Sequence, residues 1–251
     1  MSEAETMSTD AAIESSELKE EYASFVGRKV LFLLLSILGI AILAGIAATL
    51  GSAEITPVEV YSAILARLFP GRFEATDFVD TIVWQLRLHR VLMGIFAGMG
   101  LAVAGAAMQG ILKNPLASPF TLGIASAASF GASLAIILGA GFVGGGYLIV
   151  GNAFIFTMLA SVIVYGLARY KGITPETMIL AGIAIMYLFS AMTSFLQYVG
   201  ESEEVHEVVF WMMGSLGRSS WDKVAIIALI TMTCTLILMA FSWDINALGA
   251  G

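Results

Sequence analysis

The sequence predicts an all-α integral membrane protein with about six transmembrane helices and two short amphipathic helices at the membrane surface. Of its 251 residues, 59% are hydrophobic and 12% are charged, whereas soluble domains are about half apolar and about a quarter charged. The apolar residues form long uncharged blocks, and about 20 such residues are enough for one span. These blocks are predicted to be helical, because a backbone in lipid must satisfy its own hydrogen bonds.

The order of polar and apolar segments predicts the organisation of the chain. Residues 1–28 form a polar, acidic N-terminal tail, and residues 29–251 form a membrane domain. Two segments, 56–68 and 205–216, carry apolar residues at helical spacing but are too short to span, so they are predicted to be interfacial. The predicted spans lie near residues 30–51, 91–112, 119–140, 147–168, 177–199 and 224–243.

Composition excludes several functions. The net charge of −7 argues against a nucleic-acid partner. Cys234 is the single cysteine, so neither an internal disulfide nor a cysteine metal site is expected. The acidic segment 201–207 with His206 is better explained as a solvated rim than as a cation site, and no metal site is predicted. The sequence also lacks the G-x-x-x-x-G-K-[ST] loop that would hold ATP, so the chain is not predicted to be an enzyme.

Two predicted spans carry a pattern on one helical face. The fifth span places Ser190, Thr193, Ser194 and Gln197 on one face, where hydroxyls either bond back to their own helix or line a polar route. The second span carries small residues four apart, which allow close helix packing within a subunit or around a pathway. These residues are Gly94, Gly98, Ala102, Ala106 and Gly110.

The orientation in the membrane is only weakly determined. An N-terminus on the cytoplasmic side divides the 12 Lys and Arg residues equally between the two sides, so the positive-inside rule does not decide. The charges that directly flank the spans favour this orientation. Arg87 and Arg90 then form a basic pair on the outer side, and such a pair suggests an acidic partner.

Five segments in the same order resemble motifs of the FecCD-type permeases, the membrane subunits of ABC importers for iron-siderophores, haem and cobalamin. The resemblance runs from about residue 29 to the end of the sequence. The first segment is similar to the family's R-[LI]-P-R, and the second to its G-x-x-x-Q-x-x-x-x-N-P-L-A-x-P. The segments are V-W-Q-L-R-L-H-R-V-L at 83–92, A-G-A-A-M-Q-G-I-L-K-N-P-L-A-S-P at 104–119, L-G-I-A-S-A-A at 122–128, L-A-G-I-A at 180–184 and F-W-M-M-G-S-L at 210–216.

This resemblance implies roles for particular residues. The family's outer arginine pair engages glutamates of a substrate-binding protein, which gives a docking role to Arg87 and Arg90. Its N-P-L turn narrows the cytoplasmic end of the pathway, so Asn114 and Leu116 become candidates for a gate. Its fifth span lines the pathway at a dimer interface, which implies that Ser190, Thr193 and Gln197 face the translocated substrate. The segment 205–216 corresponds to an outer gate helix.

The resemblance also implies partners and a location. The expected function is uptake of an iron chelate (a siderophore or haem) or of cobalamin, and no residue distinguishes these substrates. The expected partners are a second copy or a related permease, a cytoplasmic ABC ATPase dimer, an extracytoplasmic binding protein and membrane lipid. ATP and Mg²⁺ are used by the ATPase, and this chain is expected to bind no cofactor. The expected location is the cell membrane, with several spans and a cytoplasmic N-terminus.

Two departures from the family pattern affect these expectations. His89 stands where the family has Pro, which would loosen the helix start and place a titratable group near the docking surface. Family members continue into a coupling helix and four further spans, so we expect this sequence to be a fragment. The alternatives are a secondary, ion-coupled transporter or a non-functional fragment of a permease. The spans carry no Asp, Glu, Lys or Arg in their middles, which argues against ion coupling.

Overall fold

The computed structural model describes residues 3–51, 53–142, 144–172 and 174–250, and within them it is helical and contains no strand. The all-α prediction is therefore confirmed. A π-helical segment, Ile82–Arg87, joins α3 to α4, and a 3₁₀ turn, Pro119–Leu122, precedes α5. The α-helices are α1 Glu3–Thr49, α2 Pro57–Leu68, α3 Asp77–Thr81, α4 Leu88–Leu112, α5 Ile124–Leu138, α6 Leu148–Lys171, α7 Pro175–Val199, α8 Ser202–Met213, α9 Trp221–Ala240 and α10 Ser242–Ala250.

The prediction of about six spans is confirmed as five long apolar helices and one shorter one. The predicted third span, 119–140, is the shorter helix α5, because the 3₁₀ turn precedes it and Gly139, with φ 59°, ends it. α2 and α8 are the two predicted amphipathic helices. The stretches long enough to cross a membrane are Ser24–Thr49, Asp77–Leu112, Gly145–Tyr170, Pro175–Val199 and Trp221–Ala240.

The acidic N-terminal segment is helical, and its division from the membrane domain at residue 28 stays a prediction. α1 begins at Glu3 and continues without interruption into the first apolar stretch. No Gly or Pro occurs before Gly27, and Ala, Glu and Lys favour a helix, so nothing in the local sequence ends the helix at the boundary of the apolar block.

The chain forms two compact units, residues 1–91 and 92–251. In the first unit, α2 packs its buried residues Val60 and Ala63 against Val79 and Val83. Thr56 caps α2 through a reciprocal pair of hydrogen bonds with Glu59. The Thr56 amide and then the Thr56 hydroxyl donate to the Glu59 carboxylate, which holds the pKa of this exposed group below its ordinary value of 4.5.

Two further contacts fasten α2 to the helices that follow it in the first unit. Arg67 forms a 2.6 Å salt bridge with Asp80 and lies over the ring of Trp84, 4.6 Å from its centroid. The Trp84 indole N–H donates to the carbonyl oxygen of Ala63, 3.2 Å away. α2 is therefore held by directional contacts as well as by its apolar face.

In the second unit, α5, α6 and α7 enclose a core built around three phenylalanines. The ring of Phe130 lies 5.0 Å from that of Phe156 and 5.6 Å from that of Phe189, with the first pair edge to face. Small residues between the helices, including Ala127 and Ala160, are fully buried and let the backbones approach.

A buried asparagine closes the glycine-rich connection between α5 and α6. The Asn152 side chain is fully buried, donates to the Ala140 carbonyl oxygen at 2.8 Å, and accepts from the Phe142 amide at 3.0 Å. Unpaired backbone groups would be costly in an apolar environment, so Asn152 allows the chain to turn there without leaving these two groups unpaired.

Candidate functional site

The guanidinium of Arg87 lies inside the first unit and caps the end of α1. Its side chain is only 7% exposed, and it donates to the carbonyl oxygens of Ala48 (2.9 Å), Thr49 (2.8 Å) and Ala53 (2.5 Å). The last carbonyls of a helix have no partner within the helix, and a guanidinium fork reaches several of them at once. A Cβ at Gly51 would lie 2.8 Å from the Arg87 Nη2 atom, so a side chain there would displace the guanidinium from this contact.

This placement differs from the docking role predicted for Arg87, which requires an accessible side chain. Arg90 is exposed, and no ion pair or hydrogen bond joins its side chain to the described residues. His89 is buried at 5% exposure, and its Nε2 lies 2.5 Å from the Gln85 carbonyl oxygen. The helix continues through His89 without a break, so the missing Pro does not loosen its start.

The N-P-L turn after α4 is organised by side chains that bond to the backbone. Lys113 adopts φ 48°, the single positive φ among the described non-glycine residues. The Asn114 side-chain oxygen then accepts from the Leu116 amide at 2.9 Å, and Gln109 donates to the Pro115 carbonyl oxygen at 3.0 Å. These bonds hold Leu116 outward with 83% of its surface exposed, so it is available to contact a neighbour.

Two glycines bring the backbones of the 3₁₀ turn and α7 into contact. The sequence analysis named both only as parts of the family motifs. Gly123, with φ 73°, ends the 3₁₀ turn, and a Cβ there would lie 2.8 Å from the Gly182 carbonyl oxygen in α7. A Cβ at Gly182 would lie 2.7 Å from both the Leu122 Cα and the Thr121 carbonyl oxygen. In the sequence, the glycines of the L-G and A-G pairs in the two motifs were the sign of this contact, because such a close approach of two backbones requires glycine.

The polar residues of α7 divide between two faces. Thr193 is buried and donates to the Phe189 carbonyl oxygen at 2.8 Å, so its hydroxyl serves its own helix. Ser190 is exposed and donates to Ser126 of α5 at 3.3 Å, while Ser194 donates back to the Ser190 carbonyl oxygen. Gln197 is half-buried. Ser190 and Gln197 therefore lie along the border of the exposed face, and Thr193 lies toward the core.

The small-residue ladder of α4 makes contacts at its two ends. A Cβ at Gly94 would lie 3.4 Å from Leu216, and one at Gly110 would lie 3.1 Å from Ile245. Between them, Gly98, Ala102 and Ala106 are exposed. The middle of the ladder is thus available for packing against a surface outside the described residues, and its packing role stays a prediction.

The described residues contain no group of three or more His, Cys, Asp or Glu side chains that could hold a metal ion.

Comparison with known proteins identifies the family to which these motifs correspond. The model of the FecCD transport family matches residues 34–251. A protein of Methanocaldococcus jannaschii described as an ABC transporter permease is 35% identical over 94% of this chain, and the match covers 68% of that protein. The cobalamin import permease BtuC of Halobacterium salinarum is 34% identical over 74% of this chain and 50% of its own length.

A solved structure agrees with the sequence matches. A protein assigned as a metal-chelate type ABC transporter in an inward-facing conformation superimposes with a TM-score of 0.72 at 30% identity. The alignment covers 89% of this chain and 65% of that one. The chain thus spans between one half and about two thirds of the length of these proteins.

We expect Arg87→Gln to destabilise the first unit, because the carbonyl oxygens of Ala48, Thr49 and Ala53 lose a charged donor. The free energy of unfolding should fall by at least about 1.5–3 kcal/mol, the value of one hydrogen bond to a charged group, and amide exchange across residues 48–53 should accelerate. Arg90→Gln is the control, and as an exposed residue it should change stability by less than about 0.5 kcal/mol. Equal effects of the two substitutions would contradict the capping role.

We expect Gly182→Ala to destabilise the second unit by about 1–3 kcal/mol, the usual cost of forcing extra volume into a packed contact. Thermal unfolding in detergent measures this effect. Gly166→Ala is the matched control, because Gly166 lies in α6 and a Cβ added there would meet no neighbouring side chain or helix within 4 Å. If Gly182→Ala is as stable as Gly166→Ala, the backbone contact between the 3₁₀ turn and α7 does not exist in solution.

Proposed function

The chain belongs to the FecCD transport family, and from this membership we propose that it forms membrane-spanning helices of an ABC importer permease. The single observation that carries the proposal is the family match over residues 34–251, which includes four of the five long apolar helices and the apolar part of α1. The cargo is a metal chelate, such as an iron-siderophore or haem, or cobalamin. The relatives' names support this range: one imports cobalamin, and the solved structure is of metal-chelate type.

The energy for transport comes from a separate subunit. A cytoplasmic ABC ATPase dimer binds ATP and Mg²⁺ and drives a pair of permeases, either two copies of this protein or this protein and a relative. The lack of a phosphate-binding loop in the sequence is consistent with this division of labour. The protein lies in the cell membrane with its N-terminus on the cytoplasmic side.

Arg90 contacts the substrate-binding protein, and Arg87 holds the base of this docking surface. The exposure of Arg90 supports the first role, and the hydrogen bonds of Arg87 to the end of α1 support the second. An exposed arginine attracts a carboxylate on the partner and increases the rate of association. The docking role of Arg87 itself stays a prediction from the family resemblance.

The cargo passes along the exposed face of α7 that Ser190 and Gln197 border, with Thr193 supporting the helix from behind. Leu116, held outward by the Asn114 turn, narrows the cytoplasmic end of this route. An apolar side chain at a constriction excludes water and ions, as hydrophobic gates do in channels.

We expect uptake to depend on ATP and to be independent of ion gradients. Uptake of radiolabelled cobalamin and of a radiolabelled ferric chelate is measured in cells that express the whole permease with its partners. A protonophore that dissipates the proton gradient while ATP is maintained should leave uptake unchanged, and depletion of ATP should stop it. The opposite pattern would establish a secondary transporter.

We expect Arg90→Glu to weaken capture of the binding protein by about tenfold or more, because like charges then face each other across the docking surface. Affinity is measured on the assembled complex at two salt concentrations, and the substitution should also reduce the salt dependence. Arg169→Glu is the control, since it makes the same charge change near the C-terminal end of α6, outside the proposed docking surface. Unchanged capture by the Arg90 variant would remove Arg90 from the docking surface.

A further inference from the structure

A cavity of about 420 Å³ lies in the second unit where several helices begin or end. Its walls come from the start of α4, the start of α6, the end of α8 and the turn before α9. Four of its lining residues, Phe210, Trp211, Gly214 and Ser215, belong to the segment 205–216 for which the resemblance implies an outer gate, and none of the residues assigned to docking, to the cytoplasmic gate or to the pathway lines it. It therefore needs an explanation of its own.

The polar wall of the cavity is basic. Arg218 and Lys223 line it, and no acidic side chain of the described residues does. Neither cation forms a salt bridge with a described carboxylate, in contrast to Arg67, which pairs with Asp80. The Lys223 ammonium donates one hydrogen bond, of 2.7 Å, to the Arg218 carbonyl oxygen, and an ammonium has three such donors. The cavity thus presents two positive charges that suit an anion.

The other part of the lining is mainly apolar, and this apolar surface continues along α6. Met93, Ile149 and Trp211 line the cavity. From Val150, which also lines it, an exposed apolar stripe follows the helix at intervals of four residues through Phe154 and Met158. A ligand in this cavity therefore meets both positive charge and an apolar track that leads away along α6.

The position along the helices matches that of a lipid headgroup. α6 begins at Leu148 and α9 at Trp221, and both belong to stretches long enough to cross a membrane. The cavity lies at the ends of these stretches, at the depth where phosphates meet acyl chains and where Trp and basic side chains are common. A soluble anion would use the positive charges, but it would leave the apolar track unoccupied.

We propose that this cavity binds an anionic phospholipid, with its phosphate between Arg218 and Lys223 and an acyl chain along Val150, Phe154 and Met158. The bound lipid fills the space between α6, α8 and α9 and stabilises the end of α8. The proposal does not depend on which cargo the permease carries.

The test is native mass spectrometry of the intact permease complex released from nanodiscs that contain equal amounts of phosphatidylglycerol and phosphatidylcholine. Retained phosphatidylglycerol should fall about fivefold in Arg218→Gln and in Lys223→Gln, and about thirtyfold in the double variant, from the usual contribution of each basic residue at an anionic surface. The charge-conserving pair Arg218→Lys and Lys223→Arg should retain the lipid.

Two controls distinguish binding at this site from nonspecific attraction between basic residues and anionic lipid. The double variant Arg72→Gln and Arg169→Gln removes the same charge from two exposed residues outside the cavity and should retain phosphatidylglycerol. Equal loss in both double variants, or no loss in either, would overturn the proposal. Thermal unfolding in phosphatidylcholine alone confirms that the variants are folded. If the double variant is not folded, the test is read from the two single variants.

A third arm distinguishes a lipid from a soluble anion. Inorganic phosphate and glycerol phosphate are added to the nanodiscs at increasing concentration. Retention of phosphatidylglycerol at every concentration supports a lipid site that uses the apolar track. Displacement by either soluble phosphate at concentrations comparable to the lipid would show that the cavity recognises only the phosphate group, and would overturn the lipid assignment.

Discussion

The fold depends on hydrogen-bond partners for the carbonyl and amide groups that helix ends leave unpaired. In an apolar environment each unpaired group costs several kcal/mol, so a chain made mostly of long helices must supply a partner at every turn. Arg87 does this for the end of α1, Asn152 for the connection between α5 and α6, and Asn114 for the turn after α4. Each is a polar side chain inside or beside an apolar region, and each bonds to backbone groups near a helix end.

This constraint divides the basic residues into two groups. Arg67 and Arg87 are used within the first unit, one in a salt bridge and one on carbonyl oxygens. Arg90 and Arg218 are exposed and have no carboxylate partner among the described residues. Charge on the first group contributes to stability, and charge on the second is available to other molecules. The proposed docking and lipid sites both use the second group.

The sequence was sufficient to predict the helical class, the long apolar helices and α2, because these follow from composition and periodicity. It could not predict the burial of Arg87, since the carbonyls that receive it lie 34 to 39 residues earlier in the chain. The contact between Gly123 and Gly182 was missed for the same reason. The polar stripe of α7 was predicted as one face. A small difference in angle about the helix axis places Thr193 toward the core and Ser190 on the exposed side, and helical spacing alone cannot show where a packed core ends.

The hydroxyls of α7 also bear on how the proposed pathway would treat its cargo. Ser194 donates to the Ser190 carbonyl oxygen, Ser190 donates to Ser126, and Thr193 donates to Phe189. The hydrogens of these three hydroxyls are already engaged, so the hydroxyls offer a passing molecule acceptor lone pairs, while the Gln197 side-chain amide adds donors of its own. A transporter must release what it admits, and binding that is too favourable slows release. A wall whose hydroxyl donors are satisfied from within the protein is therefore suited to a bulky chelate that slides past it.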